Sequence, residues 1–142
     1  MSLSLSIRNQ LPGTVVGVVP GAAMAVVKVR LDGGQQITSA ITLEAVEDLD
    51  LVVGTAVRAL IKATEISLAT GPVAGLSIRN HIPGTVVHVT TDVAMSAVKV
   101  TVQGAELTAA ITKDAVNDLG IVAGSAVTAL IKSTEVSLAT VG

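Results

Sequence analysis

The sequence predicts an all-β-dominated protein made of two small five-stranded Greek-key barrels in tandem, each carrying one short helix. Three observations predict it. Runs rich in Val, Ile and Thr are broken at short intervals by Gly, Pro and Asp. Each half of the chain holds a single stretch with helical spacing, "LEAVEDL" at 43–49 and "KDAVNDL" at 113–119. The halves also repeat: "LSIRNQLPGTVVGV" at 5–18 returns as "LSIRNHIPGTVVHV" at 76–89, and "AVRALIKATEISLAT" at 56–70 returns as "AVTALIKSTEVSLAT" at 126–140.

The first pair is offset by 71 residues (Ser6 against Ser77) and the second by 70 (Ala56 against Ala126), so one residue is lost between them. The simplest place is where "LDGGQQIT" at 31–38 becomes "VQGAELT" at 102–108. The expected organisation is a first unit over 1–70, a linker "GPVAG" at 71–75 and a second unit over 76–142. Five linker residues span at most roughly 18 Å, which sets the two units side by side.

Within the first unit, Leu3, Leu5 and Ile7 alternate with Ser4, Ser6 and Arg8, the pattern of a half-buried strand. Pro12 and Gly13 punctuate the chain, then "TVVGVV" at 14–19 and "AVVKVRL" at 25–31 are β-branched strands, and "DGG" at 32–34 marks a hairpin turn. "QITSAIT" at 36–42 is a further strand. The helix follows, with Ala45, Val46 and Leu49 on one face, and "TAVRALIKA" and "EISLA" supply the last strands. With the two stretches on either side of Pro12 and Gly13 counted as one, a short helix before the fourth of five strands, placed to plug one end, describes a barrel of the OB type.

Composition bounds the function. Half of the residues are apolar, yet Phe, Trp and Tyr are absent, so the core is built from Val, Ile, Leu and Ala. A unit of about 65 residues buries only about 60% of its extended-chain surface, which calls for further burial against a partner chain. The net charge of −2 and the lack of any Lys/Arg block exclude a broad nucleic-acid or acidic-membrane footprint, and stacking aromatics for single strands are missing. No cysteine means no disulfide, thiolate nucleophile or thiolate metal site. Mean hydropathy is +0.73, but every apolar run is interrupted before membrane-spanning length, and the start "MSLSLSIRN" has no signal-peptide pattern. The expectation is a cytoplasmic protein.

The polar residues that recur between the copies point to an anion. Thr42 stands where a strand stops and the helix begins, placed to cap the helix with its hydroxyl. The third helical position is Ala45 rather than Glu or Gln, so the capping box is incomplete, and small residues there let an oxyanion approach the backbone. Ser6, Arg8, Thr42 and Lys62 together provide fixed donors and modest positive charge, and Ser77, Arg79, Thr112 and Lys132 repeat the set. Against this, Thr42 as a plain cap, each Lys as an edge-strand gatekeeper and Arg8 as a surface ion-pair partner are the structural alternatives. Catalysis finds little support: Glu44 with Glu65 and Asp114 with Glu135 have no His or metal partner, and His81 and His88 face Gln10 and Gly17 at the matching positions. The protein is expected not to be an enzyme.

These residues resemble a known family, the molbindins or Mop domains, which bind molybdate and tungstate. "LSIRNQLPGTV" and "LSIRNHIPGTV" look like its Ser-x-Arg-Asn-x-x-x-Gly-Thr opening, "AITLEA" and "AITKDA" like its helix start, and "ALIKA" and "ALIKS" like its Lys-containing strand. The resemblance covers nearly the whole chain. It implies OB-like units associating in threes, so that tandem chains form a homotrimer. It further implies oxyanion pockets at subunit interfaces, with Ser and Arg from one unit and Thr, Lys and backbone amides of Ala from its neighbour. Carried over, the site residues are Ser6, Arg8, Thr42, Ala45, Lys62 and Ala63, then Ser77, Arg79, Thr112, Ala115, Lys132 and Ser133. Some relatives have Ser three residues after the Thr; Ala45 and Ala115 leave only the backbone amide there. The implied function is cytoplasmic storage and homeostasis of molybdate or tungstate, held as a ligand with no covalent cofactor and no direct protein–metal bond. The alternative is an oxyanion-sensing module acting through a partner protein.

Overall fold

Strand pairing decides the architecture. The computed structural model describes residues 4–141, so Leu3 of the expected first strand and the outermost residues of both expected units lie outside the described part. In chain order the elements are β1 (Asn9–Pro20), β2 (Met24–Leu31), β3 (Gln36–Thr42), α1 (Leu43–Asp48), β4 (Ala56–Ile61) and β5 (Ser67–Ala69), then β6 (Asn80–Thr91), β7 (Met95–Val102), β8 (Ala105–Thr112), α2 (Lys113–Leu119), β9 (Ala126–Ile131) and β10 (Ser137–Thr140). A 3-10 turn precedes each last strand, Ala63–Glu65 and Ser133–Glu135.

These strands form two curled antiparallel five-stranded sheets, ordered β10-β4-β1-β2-β3 and β5-β9-β6-β7-β8. Each sheet therefore holds four strands of one repeat and the last strand of the other. β5 lies on β9 with Leu68 opposite Ala129, and β10 lies on β4 with Leu138 opposite Ala59. The five-strand count matches the sequence reading, but the fifth strand is exchanged.

Period-two patterning builds the core. In β2, Ala25, Val27, Val29 and Leu31 are buried and the residues between them exposed. Ile37, Ile61, Ile66 and Val57 join them, with Ile82, Val98, Val100, Leu107 and Ile131 in the other half, in one continuous apolar cluster. Val46 and Val116 anchor the two short helices to it.

Two local expectations change. The described part of "LSLSIR" is not a strand: residues 4–8 are irregular and Leu5 is exposed, because β4 ends at Ile61, the partner of Asn9, and among the described residues no strand pairs with the chain before that point. Pro12 and Gly13 do not interrupt β1 but lie inside it, opposite Arg58 and Val57. Gly13 is needed for close packing, since a Cβ there would meet the Arg30 carbonyl oxygen at 2.7 Å. The extra residue Val16 then makes a bulge between Val15 and Gly17.

Buried asparagines lock the two repeats together. The Asn9 amide donates to the Thr108 carbonyl at 2.9 Å and accepts from the Thr108 N–H at 2.8 Å, while a further bond reaches the Ile61 carbonyl at 3.0 Å. Asn80 does the same to Thr38, at 2.8 and 2.7 Å. Each side chain thus serves as a two-point ladder partner for a strand of the opposite repeat. The Ser39 hydroxyl, fully buried, adds a bond to the Val136 carbonyl.

Three outcomes follow from this arrangement. Asn80→Ala strips both partners from the Thr38 backbone and lowers unfolding free energy by about 2–3 kcal/mol in a urea titration, whereas exposed Asn117→Ala changes it little. A fragment of residues 1–70 cannot give β4 its neighbour from the second repeat, so it sediments as a strand-exchanged dimer; a folded monomer would contradict the pairing. Gly120 ends α2 at φ 62°, where the first repeat places Asp50 at φ 52°. Gly120→Ala should cost about 1 kcal/mol in the same titration, and Gly120→Asp less, because Asp tolerates the left-handed region better.

Candidate functional site

Two matched concavities are created where paired strands part. β1 and β4 run together until Asn9 faces Ile61, and beyond that pair Ser6, Ile7 and Arg8 diverge from Lys62, Ala63 and Thr64. The gap between them is about 250 Å³. In the second repeat Asn80 faces Ile131, and Ser77, Ile78, Arg79, Lys132, Ser133 and Thr134 line an equivalent space of about 260 Å³. The irregularity of residues 4–8 is thus what opens the first site.

Within each concavity the cations are set by local geometry. Arg8 donates from Nε to the Ser6 carbonyl at 3.1 Å, which folds the guanidinium back over its own chain. Arg79 donates from Nε to the Ser77 carbonyl at 3.3 Å and from Nη2 to the Leu76 carbonyl at 3.2 Å, leaving Nη1 available for a ligand. Lys62 and Lys132 are the residues from which the 3-10 turns start, and neither side chain caps its turn. Both Lys and both Arg are exposed. The turns bond Glu65 N–H to the Lys62 carbonyl and Glu135 N–H to the Lys132 carbonyl, each at 3.0 Å, and the amides of residues 63, 64, 133 and 134 donate to no carbonyl among the described residues. One guanidinium, one ammonium, hydroxyls and turn amides make a donor-rich bowl suited to a small tetrahedral oxyanion.

Eight of the twelve expected site residues are gathered in this way: Ser6, Arg8, Lys62 and Ala63 in one bowl, Ser77, Arg79, Lys132 and Ser133 in the other. Within one chain, Lys62 and Ala63 stand with Ser6 and Arg8 of the same repeat. Antiparallel pairing of β1 with β4 requires that grouping.

Thr42, Ala45, Thr112 and Ala115 line neither bowl. Thr42 caps α1, its Oγ1 accepting from Ala45 N–H at 3.1 Å, and Thr112 caps α2 by the same bond to Ala115. Leu43 N–H is taken by the Ala23 carbonyl at 2.9 Å, so these helix starts are largely satisfied within the chain. Sequence reasoning missed Thr64 and Thr134, although their recurrence in "KATE" and "KSTE" was a readable signal. Among the described residues there is no helix long and apolar enough to cross a membrane.

Similarity to known proteins extends over nearly the whole chain. The chain is 34% identical over 143 residues to the molybdenum transport protein ModE of Azotobacter vinelandii, covering 100% of this chain and 53% of that protein. It is 36% identical over 141 residues to the molybdenum-pterin-binding protein MopB of Rhodobacter capsulatus, covering 98% of this chain and 52% of that one. The chain therefore spans about half the length of these relatives. A structure of the cytoplasmic molybdate-binding protein ModG with molybdate bound superposes with a TM-score of 0.95 at 35% identity, covering 98% of this chain and 100% of that one. The sequence pattern of the TOBE domain matches residues 5–68 and again 76–138, and the chain belongs to the TOBE-domain family.

Proposed function

We propose that the protein binds molybdate or tungstate in the two bowls and serves in the storage and homeostasis of these oxyanions in the cytoplasm. The observation that carries this reading is the recurrence, in both repeats and on the same elements, of one Arg, one Lys and several hydroxyls around a concavity of about 250–260 Å³. A dianion surrounded by fixed donors keeps its charge partnered as water leaves. Rejection of hydrogen phosphate follows if no acceptor meets its proton, and rejection of sulfate if the bowl fits the larger anion. The ModG likeness supports molybdate as ligand, because that protein's bound structure shares this fold over nearly its whole length.

Each bowl is open on one chain, and Thr42, Ala45, Thr112 and Ala115 lie outside it. In this reading they come from a neighbouring chain of a homotrimer and close the sites. The anion then stabilises the assembly by mass action. The function is binding rather than catalysis, with no nucleic-acid or membrane partner. A second reading, in which oxyanion occupancy is relayed to a partner protein, is favoured by the match to ModE over about half of that protein's length.

Lys62→Ala combined with Lys132→Ala should weaken molybdate binding by at least about tenfold in isothermal calorimetry, with sulfate as the control anion, and leave the assembly intact in native mass spectrometry. Unchanged affinity would remove the bowls from the binding site.

A further inference from the structure

The two bowls are not copies. Position 63 is Ala in the first and the equivalent 133 is Ser in the second, and Ser133 Oγ is buried yet has no hydrogen-bond partner among the described residues. A buried hydroxyl without a partner is costly unless a ligand supplies one. Two further differences act on the same side. The Ser39 hydroxyl, reaching across from the first repeat, holds the Val136 carbonyl at the end of the second bowl's 3-10 turn. Its counterpart at 109 is a fully buried Ala, which gives the turn at 63–65 no such tie. Arg79 is held by two backbone carbonyls, Arg8 by one.

Resting on the oxyanion reading above, we propose that the two sites of one chain are unequal: the second bowl, with Ser133, fills first, and the first, with Ala63, fills second. The Ser133 hydroxyl adds a donor to the anion, while the pinned turn and doubly held guanidinium reduce the ordering that binding would otherwise require. The protein then takes up oxyanion in two steps over a wider concentration range than two equal sites would cover.

The test is molybdenum anomalous scattering from crystals of the full chain grown with one molybdate per chain. The expected result is occupancy of the second bowl about tenfold above the first. In the double variant Ser133→Ala with Ala63→Ser, the first bowl should gain at the expense of the second; Ala63→Ser alone, at a half-buried position on the bowl's lining, should narrow the gap. Equal occupancy in the native chain, or a preference the exchange leaves untouched, overturns the inference while leaving the binding function standing. Molybdenum in neither bowl overturns the oxyanion reading itself.

Discussion

Exchange of the last strand is the constraint on which the rest of the molecule depends. β4 and β9 would each be an exposed edge without β10 and β5, with unpaired backbone groups beside fully buried Ile61 and Ile131. Each repeat therefore completes its sheet only in the presence of the other. A core lacking aromatic residues gains less area per side chain, and sharing strands is one way for two small units to bury enough of it. The Asn9 and Asn80 amides work at the same seam, partnering Thr108 and Thr38 where the sheets would otherwise leave polar backbone buried.

The same exchange sets the site. To leave its own repeat, the chain must turn sharply after β4, and it does so through the 3-10 turn at Ala63–Glu65. That turn ends the β1–β4 ladder at Asn9 and Ile61, so Ser6–Arg8 and Lys62–Thr64 separate and the bowl opens between them. The cations thus sit at a junction fixed by strands on both sides, and the fold positions them without burying them.

Much of this was legible in the residues. The repeat, the strands from "AVVKVRL" onward, the helix start at Thr42 and the recurring Ser, Arg and Lys all follow from period and spacing. The exchange was not, because "ISLAT" and "VSLAT" are almost the same strand and "AVRALI" and "AVTALI" almost the same partner. Local sequence has no preference between pairing within a repeat and pairing across; the turn and the asparagine seam decide it. "LSLSIR" misled for a related reason, since its alternation is strand-like but a strand needs a neighbour, and β4 stops too soon. Thr42 caps its helix, one of the two roles its place at the strand end suggested, yet its position outside the bowl of its own chain depends on tertiary packing that spacing does not encode.

Joining the repeats in one chain has a consequence that separate repeats could not reach. A strand-exchanged pair of identical chains is isologous, so its two bowls are the same by symmetry. A tandem chain makes the exchange intramolecular, at an effective concentration set by the short segment around 71–75, and releases each repeat from identity with the other. Ser39 against Ala109, Ala63 against Ser133 and Asp50 against Gly120 are among the residues at which that freedom has been used. The first two lie in or against the bowls, whereas the framework that opens them, Asn9 with Ile61 and Asn80 with Ile131, is the same in both halves. Residues in and against the bowls have changed, while the residue pairs at which the strands part have been kept.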